Sequence, residues 1–143
     1  MEEELESGVV KKFLYINRRA PHGTIYAHEA LEVVLIGAAF EQDVTLAFLD
    51  DGVFQLKKDQ DTADINTKNF SKTYGALEMY DVEKLYVEKE SMDQRGLTKD
   101  DLSVEVKIIS SQDILFPVTL LFSFASLFSG LIRLLTLYLN GVV

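Results

Sequence analysis

The chain predicts an α/β domain, a small three-layer fold of flavodoxin type around a central parallel sheet. Three observations carry this expectation. Short apolar, β-rich runs recur at residues 13–17, 44–50, 84–88 and 104–109. Segments with helical length or helical spacing separate several of them. Strand, helix, strand at this spacing is a βαβ unit, whose two strands run parallel. With 143 residues, 48% of them hydrophobic, the chain has the mass for one core and not for two.

Taken in order, residues 1–12 open with MEEELESG. This acidic, polar start reverses the basic-then-apolar order of a secretory signal, so it reads as a flexible solvated tail and the protein as cytoplasmic. FLYIN (13–17) is the first strand, broken by RRAPHG, and a helix is expected over 25–40. VTLAFLD (44–50) is a second, buried strand, and DDGVFQLKKDQDTAD a polar loop with an embedded aromatic. In NFSKTYGALEMY, Phe70, Tyr74 and Leu77 fall at i, i+4 and i+7, one apolar helical stripe. KLYVE (84–88) is the third strand and MDQRGLTKDDL a polar connection. In VEVKII (104–109), Val104, Val106 and Ile108 alternate with Glu105 and Lys107, which suits an edge strand with one face partly wet.

The first helix is unusual. Glu29 and Glu32 are its acidic side chains, and Val33, Val34, Leu35, Ile36, Ala38, Ala39 and Phe40 leave its second half apolar on every side. A helix lying on a sheet needs one apolar stripe, so a helix apolar all round is expected to be covered twice. A domain of this size has little spare mass for that second cover. A subunit interface at Val33, Val34, Ile36 and Phe40 is the expectation.

Composition removes several kinds of chemistry. Lys and Arg total 14 against 23 Asp and Glu, a formal charge of -9, so direct nucleic-acid binding is disfavoured by phosphate repulsion. The absence of cysteine excludes disulfides, thiolate metal sites and cysteine nucleophiles. Two histidines without cysteine do not make a structural zinc site, and no metal or cofactor is expected. Asp50 and Asp51 at the end of the second strand have the chemistry to bind a cation, although a strand-end DDG is more often a turn. The loop Pro21, His22, Gly23 and Thr24 follows a strand and precedes a helix, where open α/β sheets bind ligands. His22 has the range of an acid or base near neutrality; it serves equally as a turn residue beside a permissive glycine. A stand-alone ligand-binding domain or enzyme using this loop is therefore one reading of the chain.

RRAPHGT, EALEVVLIGAAF, VTLAFLDDGVFQL, NFSKTYGAL and YDVEKLYVEKESMDQRGL occur in that order, and together they resemble the DsrE/DsrF-like sulfur-relay family, in particular its DsrF/TusC type of subunit. The resemblance covers about residues 13–109. It implies a heterohexamer with related DsrE- and DsrH-type (TusD- and TusB-type) subunits that passes persulfide sulfur between cysteines, in sulfur oxidation or toward tRNA 2-thiouridine, with a small sulfur-carrier protein as a further partner. In sulfur-carrying relatives a cysteine stands eight positions before the glycine of the RG pair; counted from Gly96, that position is Glu88. A carboxylate forms no persulfide and disfavours a neighbouring thiolate. The resemblance thus implies a structural subunit that carries no sulfur itself.

The domain is expected over 13–112, followed by an atypical segment, 113–143. There the family would end in a polar helix and a short strand, but this chain reads ILFPVTLLFSFASLFSGLIRLLTLYLNGVV. From Ile114 to Ile132, 19 positions, no residue is charged. A helix over about 118–139 is expected, with Pro117 in its first turn. Three environments fit this segment: a membrane tether through 114–139, since about 20 apolar residues span a bilayer; a buried helix closing the fold or an interface; or a tail left by an altered reading frame. Small and polar residues from Thr119 to Asn140 form a stripe suited to close helix packing in lipid, and Arg133 counts against a span.

Overall fold

The computed structural model describes residues 9–114, and a parallel sheet of four strands forms its centre. β1 (Lys12–Asn17), β2 (Asp43–Phe48), β3 (Lys84–Glu88) and β4 (Lys107–Ile109) lie side by side in chain order. Registers such as Tyr15 with Leu46, Leu46 with Leu85 and Val87 with Ile108 set like faces together across the sheet. The connections contain the helices α1 (Tyr26–Ala39), α2 (Ala76–Met79) and α3 (Lys89–Gln94), with 3-10 turns between them.

Strand order that follows chain order makes each right-handed crossover move the same way, so the connections gather on one face. The core lies there. Tyr15, Leu46, Phe48, Leu85 and Val87 supply its sheet side, and Val34, Val53, Phe70, Tyr74 and Met92 pack onto them. Phe70 meets Tyr74 edge to face at 5.4 Å, and Tyr74 meets Phe48 at 5.5 Å. The expected Phe70–Tyr74–Leu77 stripe is fully buried, although a 3-10 run (Phe70–Gly75) leads into the single helical turn of α2. The described residues thus cover one face of the sheet. The segment expected to form the C-terminal helix lies outside them, as does most of the acidic tail.

α1 buries Ala27, Ala30, Leu31 and Val34, a stripe at i, i+3, i+4 and i+7. Gly37 lets the helix approach closely: a Cβ there would lie 3.3 Å from both the Tyr15 hydroxyl and Val44. Val34 therefore belongs to the chain's own core, which corrects its expected place at a subunit interface; its spacing from Ala27 and Leu31 puts it on the sheet side. Val33 is half-buried against the core margin. Ile36 and Phe40 are 56% and 71% exposed, so the outer face of α1 is apolar and uncovered by the described residues.

Three connections differ from expectation. DDGVFQL is a 3-10 run (Asp50–Leu56) rather than a loose polar loop, and it buries Val53, Gln55 and Leu56. The stretch after β3 contains α3 and a 3-10 turn (Lys99–Asp101), with Met92, Leu97 and Leu102 in the core. β4 is shorter than expected, because Leu102 bridges Lys57 and the Ser103 amide donates to the Leu56 carbonyl, 2.8 Å, which holds the preceding residues against the Asp50–Leu56 run. Ile108 on this edge strand is 36% exposed. Among the described residues no helix is long and apolar enough to cross a membrane.

Candidate functional site

Parallel strands end together, so the carboxyl edge of the sheet gathers Asn17 of β1, Phe48 of β2 and Glu88 of β3. Around them sit the loop after β1, the Asp50–Leu56 run, α3 and the residues after β4. Gly52 presses so closely on Asn17 that a Cβ would stand 2.0 Å from the Asn17 carbonyl oxygen, which glycine alone avoids. That oxygen accepts the Leu49 amide at 2.9 Å. Gln55 is buried two ways: its Nε2 donates to the Arg19 carbonyl at 2.7 Å, and its Oε1 accepts the Tyr74 hydroxyl. Burial pushes the Tyr74 phenol well above its ordinary value, so it stays neutral and donates.

Glu88 occupies the centre of this edge, half-buried as the last residue of β3. One carboxylate oxygen accepts the Ser91 hydroxyl, and the other accepts the Ser111 hydroxyl at 2.7 Å. Ser91 Oγ in turn accepts the Asp50 amide at 2.7 Å, and the Ser111 amide donates to Glu90 at 3.0 Å. The Glu90 carboxyl is held below its ordinary value by its own backbone amide first and then by Ser111. Glu88 is thus a clamp tying three segments together: the run after β2, the start of α3 and the chain beyond β4. The sequence signals half of it, since a serine three residues past a strand-end glutamate sits at the start of a helix; Ser111, 23 residues away, is invisible to local patterns.

The loop residues are placed as follows. Pro21 is buried, His22 half-buried, and Gly23 and Thr24 exposed, with Gly23 at φ +92, a conformation that favours glycine. His22 Nε2 and Asn17 Nδ2 are enclosed polar atoms without a hydrogen-bond partner among the described residues. Asp50 pairs with Arg18 at 2.6 Å and Asp51 with Arg95 at 2.9 Å, so this acidic pair is neutralised within the chain. Among the described residues no three acidic or histidine side chains are placed to hold a metal ion. His28 lies edge-on to Phe70 at 4.5 Å. The clamp offers acceptors and neutral hydroxyls but no thiol, so nothing along this edge can take up sulfur covalently.

Residues 11–115 match the DsrE/DsrF-like family. The chain belongs to that family. The intracellular sulfur oxidation protein DsrF of Allochromatium vinosum is 65% identical over 96 residues, covering 67% of this chain and 71% of its own. A TusC homolog of Vibrio vulnificus is 33% identical over 102 residues, covering 71% of this chain and 86% of its own. Among solved structures, the YchN protein of E. coli superposes with a TM-score of 0.65 at 19% identity, covering 77% of this chain and 93% of that one, a likeness of fold. The parallel sheet and the DsrF/TusC-type resemblance expected from the motifs are thereby met.

Proposed function

We propose that this DsrE/DsrF-like chain is a non-sulfur-carrying subunit of a cytoplasmic sulfur-relay complex. One observation carries the reading: the chain has the family's sheet and no cysteine, and Glu88 stands clamped by two serines at the position the resemblance assigns to the carrier cysteine. Persulfide transfer requires a thiolate on each carrier, so the sulfur travels on other chains. The identity of 65% with a sulfur-oxidation DsrF against 33% with a TusC homolog supports sulfur oxidation over tRNA thiolation.

In this reading the subunit holds cysteine-bearing DsrE- and DsrH-type chains in a heterohexamer. Its contact face is the outer side of α1, where Ile36 and Phe40 are exposed. That apolar exposure continues toward the turn after α2: Tyr80 shares a cleft with Ala38 and Gln42, and Met79 beside it is exposed. Apolar surface of this kind, rimmed by polar residues, marks association faces. Co-expression with tagged DsrE- and DsrH-type chains tests the proposal. Retention of this chain through affinity purification is expected; its loss in the flow-through, with small-ligand binding by the isolated chain that His22→Ala abolishes, would favour the ligand-binding alternative.

A further inference from the structure

The outer stripe of α1 runs from Glu29 through Glu32 and Ile36 to Phe40, all exposed and at the spacing of one helical face. Opposite its end lies the turn after α2. A cleft of ≈ 260 Å³ separates the two, with Ala38, Gln42 and Val44 on one side and Tyr80, Asp81 and Glu83 on the other. Across it, Met79 and Tyr80 continue the apolar exposure of Ile36 and Phe40.

What distinguishes this face is the sign of its charge. Residues 25–42 and 76–83, which build it, carry six acidic side chains, Glu29, Glu32, Glu41, Glu78, Asp81 and Glu83, and neither Lys nor Arg. All six are exposed, and none forms an ion pair among the described residues. At the carboxyl edge of the sheet the chain neutralises its own acids, since Asp50 pairs with Arg18, Asp51 with Arg95 and Asp93 with Lys89. The lysine that lines the cleft, Lys84, is engaged with Asp43. α1 also ends here, and its last turn holds no basic residue, so the negative end of the helix dipole adds to the field of the carboxylates.

The charge decides among occupants. An isologous contact with a second copy would bring the six carboxylates of one chain to those of the other, and an anionic lipid surface would meet the same repulsion. We propose that the face binds a basic partner surface, apolar at its centre and bordered by Lys or Arg, with one basic side chain entering the cleft to lie against Tyr80 and pair with Asp81 and Glu83. An aromatic ring beside carboxylates suits a long cationic side chain, whose stem is apolar and whose head is charged. Complementary charge of this kind speeds encounter and fixes register, while Ile36, Phe40 and Met79 provide the apolar area to be buried. The assignment rests on the chain being a relay subunit joined through α1, and adds the chemistry of its neighbour.

The test immobilises the DsrE- and DsrH-type subunits and titrates them with the full chain at low and at high salt. One variant combines Glu41→Lys, Glu78→Lys and Glu83→Lys; a second, of the same net charge, combines Asp59→Lys, Asp93→Lys and Asp100→Lys, exposed positions on elements other than α1 and α2. The first should bind roughly tenfold or more weakly than the parent and lose most of its dependence on salt, while the second should stay within about twofold of the parent. No loss in the first variant, or an equal loss in both, would overturn the basic partner and leave the subunit reading standing; a parent that binds neither subunit would overturn both. A parent that dimerises alone, with the dimer lost in Ile36→Asp, would assign the face to a second copy and overturn the proposal as well. If circular dichroism shows the first variant unfolded, Glu41→Gln, Glu78→Gln and Glu83→Gln together remove the same charges without reversing them; weaker binding is then expected, and unchanged binding would overturn the proposal.

Discussion

Replacing Glu88 with alanine tests the clamp at the carboxyl edge of the sheet. The substitution removes the acceptor of two hydroxyls. Ser91 is buried, and although its oxygen still accepts the Asp50 amide, its own proton loses its partner, which costs about 1–3 kcal/mol for a buried donor. Ser111 is half-buried and can turn to water, so its share is about 0.5 kcal/mol. A loss of about 2 kcal/mol follows, roughly 6–10 °C in Tm for a chain of this size. Adding Ser91→Ala to Glu88→Ala removes the orphaned hydroxyl, so the double variant should be about 1 kcal/mol more stable than the sum of the single effects. Glu88→Cys, which installs a thiol where the resemblance places the carrier cysteine, should lose as much stability as Glu88→Ala. Urea denaturation followed by circular dichroism measures each value. A change for Glu88→Ala within about 0.5 kcal/mol of the parent would refute the clamp, since that is the range of unremarkable surface substitutions.

Gly52→Ala should destabilise by about 3 kcal/mol in the same assay, because its Cβ would meet backbone atoms of Asn17 at 2.0 and 2.6 Å and neither side can yield cheaply. Gln55→Leu should cost about 2 kcal/mol by stranding the Tyr74 hydroxyl and the Arg19 carbonyl, and Tyr74→Phe in that background should restore part of the loss. The Asp101 carboxyl is held below its ordinary value by the Thr98 amide and then by the Thr98 hydroxyl, which close a capping box. A depressed carboxylate contributes stability above its unfolded value, near pH 4, and loses it as pH falls through the folded one. Thermal melts over that acidic window should therefore fall less steeply for Asp101→Asn than for the parent.

The parallel sheet was legible because buried parallel strands are near-continuous apolar runs, and FLYIN and KLYVE match β1 and β3 to within a residue. α1 was equally plain, since fourteen residues without proline leave little else to form. What the sequence hid was direction. Val34 and Ile36 look alike as letters, and only the placement of α1 on Tyr15 and Val44 decides that one is core and the other surface. The Asp50–Leu56 run was hidden by its two aspartates and by the lysines that follow it, although Val53 and Leu56 already stand three apart, the period of a 3-10 turn. At the candidate site, Glu88 was found through family resemblance, whereas its partner Ser111 comes from 23 residues away and Asp50, 41 residues from the Ser91 hydroxyl it donates to, joins through that serine, contacts made only after the sheet has formed.

The central claim is that a chain without thiols serves the relay by joining its subunits through the outer face of α1. Native mass spectrometry of this chain co-expressed with DsrE- and DsrH-type subunits, beside an Ile36→Asp, Phe40→Asp variant, tests it most directly. Both side chains are exposed, so the variant should fold with stability close to the parent. The account predicts that the parent enters a mixed assembly and that the variant remains a folded monomer; a parent that stays monomeric beside those subunits, or a variant that assembles as well as the parent, would contradict it.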